Sequence, residues 1–164
     1  MNDLLNEVNR FDDNQKIENA FTPPASWYRE KDFFDLEKRS VFRGWSMGAH
    51  KASLVNIGDY LTGIVMDRPY VLIKLEDGLK AYYNICSHHG TCVARGSGNA
   101  KKLVCPYHGW EYNLEGRLKK IPKAGSILNI HQKKLNLKPI PLKEIGDFIF
   151  LYLGYGEPEP FDLG

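Results

Sequence analysis

Residues 84 to 110 read NICSHHGTCVARGSGNAKKLVCPYHGW. The window holds all three cysteines of the chain, Cys86, Cys92 and Cys105, and three of its five histidines, His88, His89 and His108. Thiolates and neutral imidazoles are the ligands that hold zinc and iron–sulfur clusters. Each half of the window supplies one of each: Cys86-x-His88, then Cys105-x-x-His108. Both pairs follow β-like segments, so two loops can clamp one metal centre between them. A disulfide is disfavoured by the odd cysteine count and leaves the histidines unexplained. Tetrahedral zinc fits two cysteines and two histidines, and because His89 adjoins His88 the first half also reads Cys86-x-x-His89. A [2Fe–2S] cluster with two histidines replacing two cysteines on one iron fits as well. Spacing alone leaves the last two open.

The elements around the window must position it. DYLTGIVM (59–66), YVLIKL (70–75), LKAYYNI (79–85), WEYNL (110–114), LKKI (118–121) and DFIFLYL (147–153) are short runs rich in aromatic and β-branched residues. EDG at 76–78, EGR at 115–117 and DRP at 67–69 supply turns between them. Such a pattern predicts an all-β domain, an antiparallel sandwich or small barrel. The window lies between strands, as two loops joined by a segment containing Gly96 and Gly98. Upstream, KDFFDLEKRSVF (31–42) predicts a helix, with Phe33, Phe34, Val41 and Phe42 on one face and Asp32, Asp35 and Arg39 opposite. Ser26 is a candidate cap for a short preceding turn. Leu4, Leu5 and Val8 can line another short helix in an N-terminal arm that ends at Pro23 and Pro24. The expected organisation is an arm at 1–25, a helical lead-in at 26–43, the metal-binding domain at 44–155 and a tail or linker at 156–164.

Composition is that of a globular domain: 164 residues, 43% hydrophobic, 26% charged and a formal net charge of +2. So small a charge gives no reason to expect nucleic acid as a partner. The longest strong apolar run, Phe148 to Leu153, is far short of the ~20 residues of a membrane helix. MNDLLNEVNRFDDNQK has no apolar stretch of the signal-peptide kind. A cytoplasmic, reducing setting with no membrane partner is expected, and there thiols are free to bind metal.

The flanks of the ligand pattern carry a resemblance. Asn84, Cys86, His88 and Gly90, then Cys105, Pro106, Tyr107, His108, Gly109 and Trp110, resemble the signature of the Rieske domain of aromatic-ring-hydroxylating oxygenases. FTPPASWYREKDFFDLEKRSVFRGW (21–45) resembles the lead-in of their choline-monooxygenase and carnitine-oxygenase branch. There are two departures. His89 stands where that signature usually has arginine, and those oxygenases continue into a second domain whose mononuclear iron is held by two histidines and a carboxylate.

The resemblance implies a Rieske [2Fe–2S] cluster with Cys86 and Cys105 on one iron and His88 and His108 on the other. Two ferric ions, two sulfides and two thiolates then sum to zero charge, against minus two for four thiolates. The less negative cluster takes an electron more readily, at roughly −150 to +300 mV against about −400 mV for plant-type clusters. His89, Gly90, Tyr107, Gly109 and Trp110 are its expected surroundings. The glycines are expected to bring backbone N–H groups close to the cluster sulfurs, and Tyr107 and Trp110 to shield it or pack the core. Cys92 reads as a small buried residue, and His50 and His131 as satisfied or surface histidines. The implied work is to pass single electrons from an NAD(P)H-dependent reductase or ferredoxin to a non-haem iron in a C-terminal domain, in a homotrimer. No second histidine pair marks such an iron site here. A free Rieske ferredoxin and a zinc-binding structural module are the alternatives. Lys119, Lys120, Lys123, Lys133 and Lys134 form a basic stretch that can steer an acidic donor or simply face solvent.

Overall fold

Tyr70-Val71-Leu72-Ile73 is an unbroken apolar run, which calls for a strand covered on both faces rather than one. A computed structural model, which describes residues 2–40, 44–122, 132–154 and 156–161, puts it in that setting. Tyr70 is 5% exposed and the other three are fully buried. The chain divides into two units, residues 1–43 and 44–164.

Among its described residues the second unit holds ten strands in three antiparallel sheets. They are β1 (Trp45–His50), β2 (Asp59–Val65), β3 (Arg68–Leu75), β4 (Gly78–Tyr83), β5 (Ser97–Asn99), β6 (Leu103–Val104), β7 (Glu111–Tyr112), β8 (Leu118–Lys120), β9 (Leu142–Ile145) and β10 (Phe148–Tyr152). The sheet orders are β1-β10-β9, β4-β3-β2-β5 and β6-β7-β8. The layered sandwich expectation holds, and the sheets do not close into a barrel.

The four-stranded sheet is the centre of the stack, and side-chain alternation along β3 explains why. Val71 and Ile73, with Tyr82 of β4, enter one core together with Cys86, Cys105, Trp110, Tyr112 and Leu118. Tyr70 and Leu72, with Leu79 and Ala81, enter the other with Ala49, Ile149 and Leu151. Burying each valine, leucine or isoleucine among them stabilises the fold by about 1.5–3 kcal/mol. The Tyr70 hydroxyl donates to the Gly48 carbonyl at 2.6 Å and so ties the central sheet to β1.

The hairpin β3–β4 turns at Glu76–Asp77, as its sequence predicts. The β2–β3 hairpin turns one residue earlier than expected. Met66 leaves the strand with φ +58°, and Pro69 lies within β3, opposite Ile64. The segment joining the two window loops is not plain loop but contains β5 and β6. The strands β1 and β9 also form without a clear sequence signal.

The first unit contains α1 (Asn2–Arg10), a 3-10 turn at Ile17–Asn19, α2 (Ser26–Arg29) and α3 (Lys31–Arg39). Phe33 is buried against Trp27, at 5.5 Å between ring centroids, whereas Phe34 is 47% exposed, so the expected apolar face of α3 is narrower than its sequence suggests. Val41 and Phe42 lie outside the described residues. Ser26 is not a cap: it is the first residue of α2, and its hydroxyl donates to the Glu7 carboxylate.

Candidate metal centre

Cys86 to Thr91 and Cys105 to Trp110 fold into the same small loop. In the first, Gly90 N–H donates to the Cys86 carbonyl at 2.9 Å and Cys86 N–H to the Thr91 carbonyl at 2.8 Å. In the second, Gly109 N–H donates to the Cys105 carbonyl at 2.9 Å and Cys105 N–H to the Trp110 carbonyl at 2.8 Å. Each loop closes through a left-handed residue, Gly90 at φ +75° and Gly109 at φ +69°, a conformation that glycine adopts without strain. These four amides close the two turns.

Two buried polar side chains hold the first loop. Asn84, 2% exposed, accepts from Val93 N–H at 2.9 Å and Ala94 N–H at 3.0 Å and donates to the Ala94 carbonyl at 2.9 Å. Its own amide donates to the Pro69 carbonyl of β3, so the loop hangs from the central sheet at both ends. Tyr112, fully buried on β7, places its hydroxyl 3.4 Å from Cys86 Sγ and accepts from Ser87 N–H at 3.2 Å. Neither role is visible in the ligand spacing. For Tyr112 the one signal is its place two residues beyond Trp110, with which it shares a core.

The donors divide by depth. Cys86 and Cys105 are each 2% exposed, while His88, His89 and His108 are exposed. One nitrogen from each histidine lies within 4.8 Å of the others, and among the described residues no thiol joins that group. A single tetrahedral ion needs all its donors about 2.0–2.3 Å from one point. A buried thiol pair beneath an exposed imidazole pair suits a two-iron cluster better, with one iron at each pair. Burial pushes the Cys86 thiol up, against the hydrogen bond from Tyr112, so ligation must displace a proton there. Loss of water around the ring, with repulsion from His89 and His108, holds His88 below the usual histidine range, which favours the neutral form that ligates.

Residues 44–138 match the family model described as "Rieske [2Fe-2S] domain". The chain belongs to the Rieske family. Its relatives include a chloroplastic choline monooxygenase of Beta vulgaris, 35% identical over 96% of this chain and 36% of that protein. The carnitine monooxygenase oxygenase subunit of Escherichia coli K12 is 36% identical over 80% of this chain and 36% of that one. A quaternary ammonium Rieske monooxygenase solved with L-carnitine superposes at a TM-score of 0.77, with 30% identity over 84% of this chain and 40% of that structure. Naphthalene 1,2-dioxygenase from Rhodococcus superposes at 0.76, with 26% identity over 87% and 34%. The chain thus spans a little over a third of the length of these proteins.

Within this Rieske domain the expected neighbours of the centre divide. Trp110 is 8% exposed and does two things: it packs the core and stacks flat on His88, at 4.8 Å and 7°. Tyr107 is 64% exposed, and its ring lies 4.0 Å from His108. Cys92 is half-buried rather than buried. His50 is satisfied as expected, accepting from Ala52 N–H and meeting Phe148 edge-on. Of the basic stretch, Lys120 lies 3.7 Å from the Glu111 carboxylate, which Lys102 also contacts at 2.7 Å. His131, Lys123 and the side chain of Lys133 lie outside the described residues. No helix among the described residues is long and apolar enough to cross a membrane.

Proposed function

We propose that Cys86 and Cys105 hold one iron and His88 and His108 the other of a [2Fe–2S] cluster, and that the chain is the electron-transfer domain of an oxygenase. The observation that carries this is the split donor set, thiols buried and imidazoles exposed. Bound there, such a cluster supplies reversible one-electron transfer at a potential above that of all-cysteine clusters. The chain's own residues prepare the site. Asn84 fixes the first loop, Tyr112 offers a hydroxyl to Cys86, and Trp110 sets the plane of His88.

By resemblance, the donor is an NAD(P)H-dependent reductase or a ferredoxin. The acceptor is a non-haem iron in a catalytic domain outside these residues, in a homotrimer. The relation to choline and carnitine monooxygenases points to a quaternary ammonium substrate. The match to the plant enzyme runs over 96% of the chain and so takes in the helical lead-in, which favours an oxygenase over a free ferredoxin.

Metal and acid-labile sulfide content, with the electron paramagnetic resonance (EPR) spectrum of the reduced protein, tests the assignment. Two irons and two sulfides per chain, with the signal of a histidine-ligated cluster, are expected. One zinc per chain without sulfide or colour, lost in Cys86→Ser, would overturn it in favour of a structural zinc module.

A further inference from the structure

His89 is one imidazole more than a Rieske centre uses. The twin loops give it a defined place. In both, the third residue after cysteine is followed by the left-handed glycine that closes the turn, and that third residue is His89 in one loop and His108 in the other. His88 lies between them. Ring centroids are 3.8 Å apart for His88 and His89, 4.5 Å for His88 and His108, and 5.2 Å for His89 and His108. All three side chains are exposed, with one nitrogen from each within 4.8 Å of the others.

Three exposed imidazoles, with one nitrogen from each within 4.8 Å of the others, form a donor set for zinc, copper(II) or nickel. At a Zn–N distance of about 2.1 Å, tetrahedral ligand nitrogens sit about 3.4 Å apart. The nitrogens must therefore close by ~1.4 Å from the 4.8 Å limit. Exposed loop side chains do this by torsion, and the ring contacts at stake are His88 on Trp110, and His108 and His89 against Tyr107. The buried thiols lie outside the group, so the site is chemically distinct from a two-cysteine, two-histidine zinc site.

We propose that, in the cluster-free chain, His88, His89 and His108 form a site for one divalent transition-metal ion, that its occupation blocks cluster assembly, and that His89 is the residue that creates it. Ion binding stands on the geometry alone; the blocking of assembly also rests on the ligand assignment above, because His88 and His108 are shared. A Rieske loop with arginine at this position would lack the third donor and the competition with it.

The test uses the whole chain, stripped of iron and checked for folding by circular dichroism, then titrated with zinc against a chromophoric chelator. One zinc per chain is expected. His89→Arg and His89→Asn should each weaken it at least tenfold while both variants still assemble the cluster, and Cys86→Ser should leave zinc binding in place. Zinc loaded first should lower cluster yield in the parent chain but not in His89→Arg. As a second measurement, the sulfide-free fraction from zinc-supplemented cells should carry zinc in the parent and not in His89→Arg. Equal zinc affinity in the His89 variants, or its loss in Cys86→Ser, would sink the three-histidine site. If no variant takes up a cluster yet zinc binding follows His89, the electron-transfer assignment fails and this site stands.

Discussion

Replacing Tyr112 by phenylalanine should lower the reduction potential of the cluster while leaving it assembled. The hydroxyl is fully buried, 3.4 Å from Cys86 Sγ, and accepts from Ser87 N–H; an iron-bound thiolate carries no proton, so in the proposed centre the hydroxyl is the donor to that sulfur. Burial, with Cys86 beside it, pushes the phenol well above its usual range, so it stays a donor throughout ordinary pH. Reduction adds one negative charge, and a hydrogen bond to a charged acceptor is stronger by ~1–1.5 kcal/mol than one between neutral groups. For one electron, tenfold in equilibrium constant is 59 mV, or about 1.4 kcal/mol, so losing the bond costs roughly 40–65 mV. The long contact to sulfur places the expectation at the lower end, about 40 mV. Spectroelectrochemical titration measures it, and the reduced EPR signal checks that the cluster is intact. The drop should be the same at about pH 6 and about pH 9, since the phenol does not ionise between them. A potential unchanged within ~10 mV, or one that rises, with the cluster intact, would refute the claim that this hydroxyl stabilises the reduced state. Stability should fall as well, by about 1–3 kcal/mol, because Ser87 N–H loses its partner.

Other outcomes follow from contacts away from the ligands. Asn84→Ala leaves the Val93 and Ala94 amides without their acceptor and should cost about 1–3 kcal/mol for each group that water does not reach; iron release to a chelator should quicken, and wild-type release kinetics would count against the anchoring role. Gly63→Ala puts a methyl 2.2 Å from the Tyr70 hydroxyl and should destabilise by about 1–3 kcal/mol. In Tyr70→Phe most of that cost should remain, because ring atoms Cζ and Cε1 lie 2.3 and 2.8 Å from the same methyl, whereas in Tyr70→Leu it should vanish; a thermal-melt double-mutant cycle of Gly63→Ala with Tyr70→Leu that shows no coupling would refute the clash. The Asp59 carboxylate is held below its usual range by the Asn99 side chain, then by the Asn56 and Val55 amides. Its contribution to stability is therefore present above about pH 4 and lost as pH falls through its folded value. Asp59→Asn should lose less melting temperature than the parent between about pH 6 and about pH 3, and an identical acid slope would remove Asp59 from the account.

What the sequence makes legible here is what is local. The ligand loops are six residues each, so the types and spacing of Cys86, His88, Cys105 and His108 carry their own geometry. The strands β2, β3, β4 and β10 announce themselves because their β-branched and aromatic residues meet packed neighbours on at least one face. The strands β1, β5 and β9 do not. WSMGAH, SGN and LKEI have no clear apolar period, and they become strands because β10 and β2 offer them open edges. The same logic hides Tyr112 and Asn84. Tyr112 meets Cys86 across 26 residues, and only the folded sheet brings them together. Phe33 and Phe34 show the converse: adjacent in sequence and alike in type, they differ in burial because successive helical residues point about 100° apart.

The arrangement also gives the proposed centre a direction. One side of it is part of the core: Cys86, Cys105, Trp110 and Tyr112 pack with Val71 and Ile73 of a strand buried on both faces. That side resists change in geometry, because displacing a thiol would open a cavity or strand a polar group. The other side ends in exposed imidazoles. A rigid, water-poor thiol side keeps the change in structure between redox states small, while an exposed imidazole side lets an electron enter or leave over a short path through a ring rather than through packed core. Two separate demands, little reorganisation and close approach by a partner, are thus met by opposite faces of one pair of loops. That division is what the fold adds to a ligand pattern that spacing alone leaves open to zinc.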